Sequence, residues 1–173
     1  DRCISTKKKL DLLNERESFV INCNAQELPI QDNVLDYVYS NGVLHHAENT
    51  NKCISEVNRV LKPNGKAVLM LYCRQSAEYY LNILPKAIIK GSIFKHNEEP
   101  RWVGEVTEGK TKYSDTSNPI TRVYNKSEII NLFSTFEILS LRKHYFSYKD
   151  FSIPRLTQIR EAVLKIFGSE YHK

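Results

Sequence analysis

Two adjacent histidines, His45 and His46, are the residues of this chain best suited to moving a proton. An imidazole changes charge near neutral pH, so it can serve as general base or acid once an element aims it at a substrate. A shared metal is disfavoured, because neighbouring histidines on a helix or strand point apart and no third ligand stands at a zinc spacing. An isolated His-His pair is more often structural than catalytic, so its meaning depends on what positions it. The cysteines Cys3, Cys23, Cys53 and Cys73 form no C-x-x-C pair. They read as free, mostly buried thiols of a reducing cytosol, and no metal site is expected.

The elements around the pair alternate between strand and helix. Arg2 to Leu13 carries a loose helical stripe of Cys3, Ile4, Leu10 and Leu13. Ser18 to Cys23 is short and β-branched and predicts a strand. Leu28-Pro29 to Asn33 is a loop. Val34 to Ser40 predicts the next strand, with Leu35, Tyr37 and Tyr39 on one face and Asp36 and Val38 on the other. Asn49 or Thr50 caps a helix that buries Ile54, Val57, Val60 and Leu61. Pro63-Asn64-Gly65 turns the chain, and Asn64 tolerates the left-handed conformation this requires. Lys66 to Cys73 is nearly continuous apolar sequence, the pattern of a strand covered on both faces of a parallel sheet. This is the order of an α/β domain. In such a sheet, ligands bind beyond the carboxyl ends of the strands, here at Cys23-Asn24-Ala25, Ser40-Asn41-Gly42 and Tyr72-Cys73-Arg74.

Beyond Cys73 the composition shifts. Ser76 to Lys90 predicts an amphipathic helix. Gly91 to Pro119 is polar and turn-rich around Trp102 and reads as an insertion or lid. Asn125 with Glu128 forms a capping box before another helix. Phe136 to Phe146 predicts a strand, and Pro154 to Phe167 a last amphipathic helix ended by Gly168. Tyr79, Tyr80, Trp102, Tyr113 and Tyr124 could line a lid, although aromatic packing of a small subdomain explains them equally well. Asn118-Pro119 lies too far along the chain, and lacks the flanking residues, to be the motif of amino-directed DNA methyltransferases. The chain divides into residues 1–75, 76–124 and 125–173.

Three runs taken together resemble a known family. They are Asn24-Ala25-Gln26-Glu27-Leu28-Pro29, then Leu35-Asp36-Tyr37-Val38-Tyr39-Ser40-Asn41-Gly42-Val43-Leu44-His45-His46, then Arg59-Val60-Leu61-Lys62-Pro63-Asn64-Gly65-Lys66. This set is similar to the middle of a class I S-adenosylmethionine-dependent methyltransferase of the type 11 group. The resemblance implies a Rossmann-like sheet, S-adenosyl-L-methionine as cofactor, and methyl transfer to a small-molecule acceptor. It assigns Asn24 and Ala25 to the adenine end of the cofactor and Ser40, Asn41 and Gly42 to its methionine end. It places His45 and His46 near the transfer site, where either could act as base. Asp36 is structural in the family, and Asn24 stands where an aspartate is usual.

The family's glycine-rich turn should precede these runs, yet the first glycine is Gly42. The resemblance therefore implies a sheet lacking its first two strands, an N-terminally truncated fragment, and weak or no cofactor binding. The absence of an initiator methionine fits that expectation. Ser18 to Cys23 would then pair directly with Val34 to Ser40 or lie exposed as an edge.

At 173 residues the chain is long enough for a domain with a real core. Its 25 basic and 20 acidic residues give a mild +5, with Lys7-Lys8-Lys9 as the one cluster and no interleaved aromatics, so a nucleic-acid partner is not indicated. No apolar run reaches the ~18 residues of a membrane span, and the start has no signal-peptide core. A cytoplasmic protein is expected. Two other readings stay open: a non-catalytic remnant or binding module of the same fold, and a different Rossmann-like nucleotide-dependent enzyme. The second would require a glycine fingerprint, and none is visible.

Overall fold

A computed structural model describes residues 2–13, 18–108 and 120–143. Beyond the first helix, α1 (Arg2–Leu12), residues 18–23 form no regular structure. The predicted strand Ser18 to Cys23 is not formed. Phe19 and Ile21 are exposed, and β1 (Leu35–Asn41) has a ladder with β2 (Leu61–Met70) alone among the described residues. A β-branched run has no reason to hold a strand conformation without a neighbour to satisfy its amides.

Between β1 and β2 lies α2 (Thr50–Val60). Asn49 caps it, its side chain accepting from the Lys52 amide at 3.1 Å. Cys53, Ile54, Val57 and Val60 form the buried side, so the stripe read from the sequence is the side that packs on the sheet. Each such side chain contributes about 1.5–3 kcal/mol of burial. Leu44 and Leu61 complete this core, with Val38, Ala67, Leu69 and Phe136 against it.

β1 and β2 run parallel, with Tyr39 opposite Val68 and Ser40 opposite Leu69. The register slips between Leu35, which faces Leu61, and Tyr37, which faces Lys66. The extra residues of β2 are the Pro63-Asn64-Gly65 turn, with Asn64 at φ +66° as expected. A Cβ at Gly65 would meet the Lys62 carbonyl at 2.9 Å and the Leu35 carbonyl at 3.1 Å, which explains glycine there.

Two expectations are overturned in this sheet, the first by the slip. Beyond it, Val38 and Ser40 face the core while Tyr37 and Tyr39 are exposed, the reverse of the simple alternation. Lys66 to Cys73 is not one strand buried on both faces. Val68 and Met70 are exposed, and the chain breaks at Leu71 before β3 (Tyr72–Cys73).

β3 pairs in parallel with β4 (Val123–Tyr124) beside a second core of Tyr79, Ile83, Ala87, Trp102, Val103 and Val123. The helix read at Ser76 to Lys90 is present, but Tyr79–Ile83 forms a π-turn ahead of α3 (Leu84–Ile89). Pro85 explains the widening. A proline ring inside a regular helix clashes with the carbonyl four residues back, here that of Leu81, and the wider turn relieves this. The segment expected to be loop from Gly91 contains α4 (Ser92–Lys95) and α5 (Glu99–Thr107), with Trp102 buried as the anchor. Helix α6 (Lys126–Leu132) opens with the expected capping box of Asn125 and Glu128. Residues 136–143 form no strand, in contrast to the sequence reading. The predicted helix Pro154 to Phe167 lies outside the described residues.

Among the described residues, no helix is long and apolar enough to cross a membrane, and no cluster of side chains could hold a metal. The four cysteines are free, with Cys53 buried and Cys23 exposed.

Candidate functional site

The carboxyl end of β1 carries Ser40, Asn41 and Gly42. The Ser40 hydroxyl is buried and has no hydrogen-bond partner. A buried polar atom left unpaired costs about 1–3 kcal/mol, so a ligand group that supplied the bond would be favoured. Asn41 is exposed. Gly42 lies at φ +71°, and a Cβ there would sit 3.5 Å from Met70 Cε. Its amide donates to the Met70 carbonyl at 3.4 Å, so the backbone leaves the sheet edge still tied to β2.

Asn24 and Ala25 occupy a tight turn. The Glu27 amide donates to the Asn24 carbonyl at 3.0 Å, and the Gln26 amide to Asn24 Oδ1 at 3.0 Å. The Gln26 side-chain amide also donates to Oδ1, at 3.5 Å, so a ligand group donating in that place would displace it. Ala25 is half-buried against the α2 core. Asp36 is exposed and paired with Lys62 at 2.8 Å, in keeping with a structural role.

The histidines form a single 3-10 turn, Leu44–His46, held by the Thr50 hydroxyl donating to the Leu44 carbonyl at 3.3 Å. Their rings do not point apart. The tight turn brings the centroids to 4.1 Å, and Tyr72 stacks on His45 at 4.0 Å. His45 is fully buried with neither ring nitrogen hydrogen-bonded. Burial, and then the neighbouring His46, pushes its pKa down to about 3, so it is neutral at physiological pH. Burial also raises the Tyr72 hydroxyl, with Glu108 adding to the effect.

His46 is partly exposed and has polar partners on both sides. Nδ1 is 3.0 Å from Thr121 Oγ1 and 3.3 Å from the Ile120 carbonyl, while Nε2 faces Glu108 at 3.8 Å. Sequence reasoning missed Thr121 and Glu108 as site residues. No local pattern marks them. They reach His46 because α5 and β4 pack beside the 3-10 turn, with the Arg122 amide donating to the His45 carbonyl at 2.9 Å.

Tyr79 and Trp102 are core residues, and the Tyr79 hydroxyl donates to Glu99 at 2.6 Å. Tyr113 lies outside the described residues. A cleft of about 480 Å³ opens between α2 and α6, lined by Asn49, Asn51, Arg122, Tyr124 and Asn131. Neither histidine nor any of the strand-end residues lines it. The unpaired Ser40 hydroxyl and the glycine at the strand end are therefore the better guide to a cofactor than cleft size.

Residues 4–69 match the family described as a methyltransferase domain. S-adenosyl-L-methionine is the cofactor of that family. The methyltransferase match holds most of α1, all of β1 and α2 and nearly all of β2, and with them the β1 strand end and the histidine turn.

Three relatives frame the assignment. The chain is 25% identical over 131 residues to a malonyl-[acyl-carrier protein] O-methyltransferase of Buchnera aphidicola subsp. Baizongia pistaciae, covering 76% of this chain and 47% of that one. It is 32% identical over 108 residues to a demethylmenaquinone methyltransferase of Bacillus mycoides, covering 57% and 44%. It is 33% identical over 102 residues to the ubiquinone/menaquinone biosynthesis C-methyltransferase UbiE of Rickettsia prowazekii, covering 54% and 40%. The chain thus spans less than half the length of these relatives.

The residues present fit one side of S-adenosylmethionine. The unpaired Ser40 hydroxyl would bond a polar group of its methionine end once the strand end admitted it, and the absent side chain at Gly42 leaves backbone open to close approach.

Proposed function

We propose that the protein transfers the sulfonium methyl of S-adenosylmethionine to a small-molecule acceptor in the cytoplasm. Asn24 and Ala25 would border the adenine end of the cofactor, and Ser40, Asn41 and Gly42 its methionine end. The observation that carries this reading is the buried, unpaired Ser40 hydroxyl beside Gly42 at the carboxyl end of a parallel strand. The cofactor supplies an electrophilic methyl group. The chain supplies alignment and, where the acceptor must lose a proton, a base.

Of the two histidines, His46 is the base, because it keeps partial exposure and polar partners. His45 backs it, enclosed between His46 and Tyr72.

No glycine precedes Gly42, so residues 1–41 offer no glycine-rich turn to cradle the cofactor. That favours weak binding by this chain. It also keeps a second reading in view, that of a binding module of the same fold without turnover. Calorimetric titration with S-adenosylhomocysteine tests the first reading. Weak heat that disappears in Gly42→Val is expected, and absence of any heat from a folded sample would favour the second.

A further inference from the structure

The contacts of His46 say which of its nitrogens is the base. Nδ1 lies 3.3 Å from the Ile120 carbonyl and 3.0 Å from Thr121 Oγ1. A carbonyl only accepts, so the proton of the neutral ring belongs on Nδ1, shared between the two oxygens. Nε2 is then the lone pair. It faces Glu108 at 3.8 Å, beyond hydrogen-bond range, as two acceptors should stand. Thr121 is itself fully buried, and its hydroxyl is 3.5 Å from that of Thr107, which donates to the Val103 carbonyl at 2.9 Å. The ring is therefore held from behind by α5 and the approach to β4, not by its own turn alone.

From this geometry we infer that Thr121, acting with the Ile120 carbonyl, is a positioning residue that holds His46 as the Nδ1–H tautomer, with Nε2 as the base and Glu108 placed to receive the N–H that proton transfer creates. The inference rests on the methyl-transfer reading above. In the step it serves, the acceptor's N–H or O–H proton passes to His46 Nε2. The acceptor lone pair forms the new bond to the methyl carbon, and the carbon–sulfur bond breaks with its electron pair going to sulfur. The substrate class follows: an acceptor that must give up a proton as it is methylated, rather than a thioether or tertiary amine.

Long-range proton–nitrogen correlation on the full chain with nitrogen-15 histidine reads the tautomer directly, in mildly alkaline solution and without cofactor. His46→Gln assigns the signals. We expect the Nδ1–H form in the unmodified protein, a shift towards Nε2–H in Thr121→Val, and recovery in Thr121→Ser. Glu108→Gln should leave the Nδ1–H form in place. An Nε2–H ring in the unmodified protein, an unchanged ring in Thr121→Val, or a tautomer change in Glu108→Gln would each overturn the inference. Circular dichroism confirms that Thr121→Val folds, and Thr121→Ser carries the comparison if it does not, since it should keep the Nδ1–H form. The readout needs no cofactor, so failed cofactor binding would remove the methyl-transfer reading and leave the tautomer result standing.

Discussion

The backbone amide of Arg122 donates to the carbonyl of His45 at 2.9 Å. This one bond ties the histidine turn, which follows the carboxyl end of β1, to the segment that carries Thr121. The two cores of the protein meet here, and the stacking of Tyr72 on His45 reinforces the junction.

The neutral, enclosed His45 should make stability depend on pH. Its folded-state pKa of about 3 is depressed from an ordinary 6.5. Between those values the unfolded chain binds a proton that the folded chain does not, so stability falls as pH drops through that window. The expected slope is about 1.4 kcal/mol per pH unit at most. Urea unfolding at pH 7 and pH 5 should show the loss in the unmodified protein and a smaller one in His45→Phe.

Ile54 is 2% exposed in the α2 core, and Ile89 is 85% exposed at the end of α3. Ile54→Ala should cost about 3 kcal/mol by lost burial and cavity formation. Ile89→Ala should change stability by less than about 0.5 kcal/mol. Paired chemical denaturation experiments compare them.

Asn64 sits in the left-handed region at φ +66°. Asn64→Gly should be neutral or slightly stabilising, whereas Asn64→Val should cost about 1–2 kcal/mol through backbone strain. The midpoint of thermal unfolding for both variants decides this.

Arg74 joins distant elements. It donates two bonds to Glu99, at 3.0 and 2.6 Å, reaches Glu128 at 2.9 Å, and bonds the Val123 carbonyl at 3.1 Å. Arg74→Met should strand two carboxylates and cost about 2–3 kcal/mol, more than a surface ion pair would. Combining it with Glu99→Gln should recover part of the loss, which a double-mutant cycle measures.

What was legible in the sequence was local. The α2 stripe, the caps at Asn49 and Asn125, and the turn at Asn64 follow from patterns of a few residues, and the fold respects them. The facing of Tyr37 and Tyr39 was not legible, because the slip opposite Pro63-Asn64-Gly65 reverses the alternation and depends on pairing. The missing strand at Ser18 to Cys23 has the same origin: strand propensity is realised through a neighbour. The strand ends and the histidine pair were readable as candidates. Thr121 and Glu108 were not, since their relation to His46 exists only once β3 has paired with β4.

The central claim is that the carboxyl end of β1 is a wall of the cofactor site. Amide chemical-shift mapping of the full chain during titration with S-adenosylhomocysteine tests it most directly, since it registers weak binding and locates it. The account predicts saturable shifts at Ser40, Asn41 and Gly42, with smaller ones at Asn24 and Ala25. Shifts confined to the cleft between α2 and α6, with the β1 strand end unmoved, would contradict it.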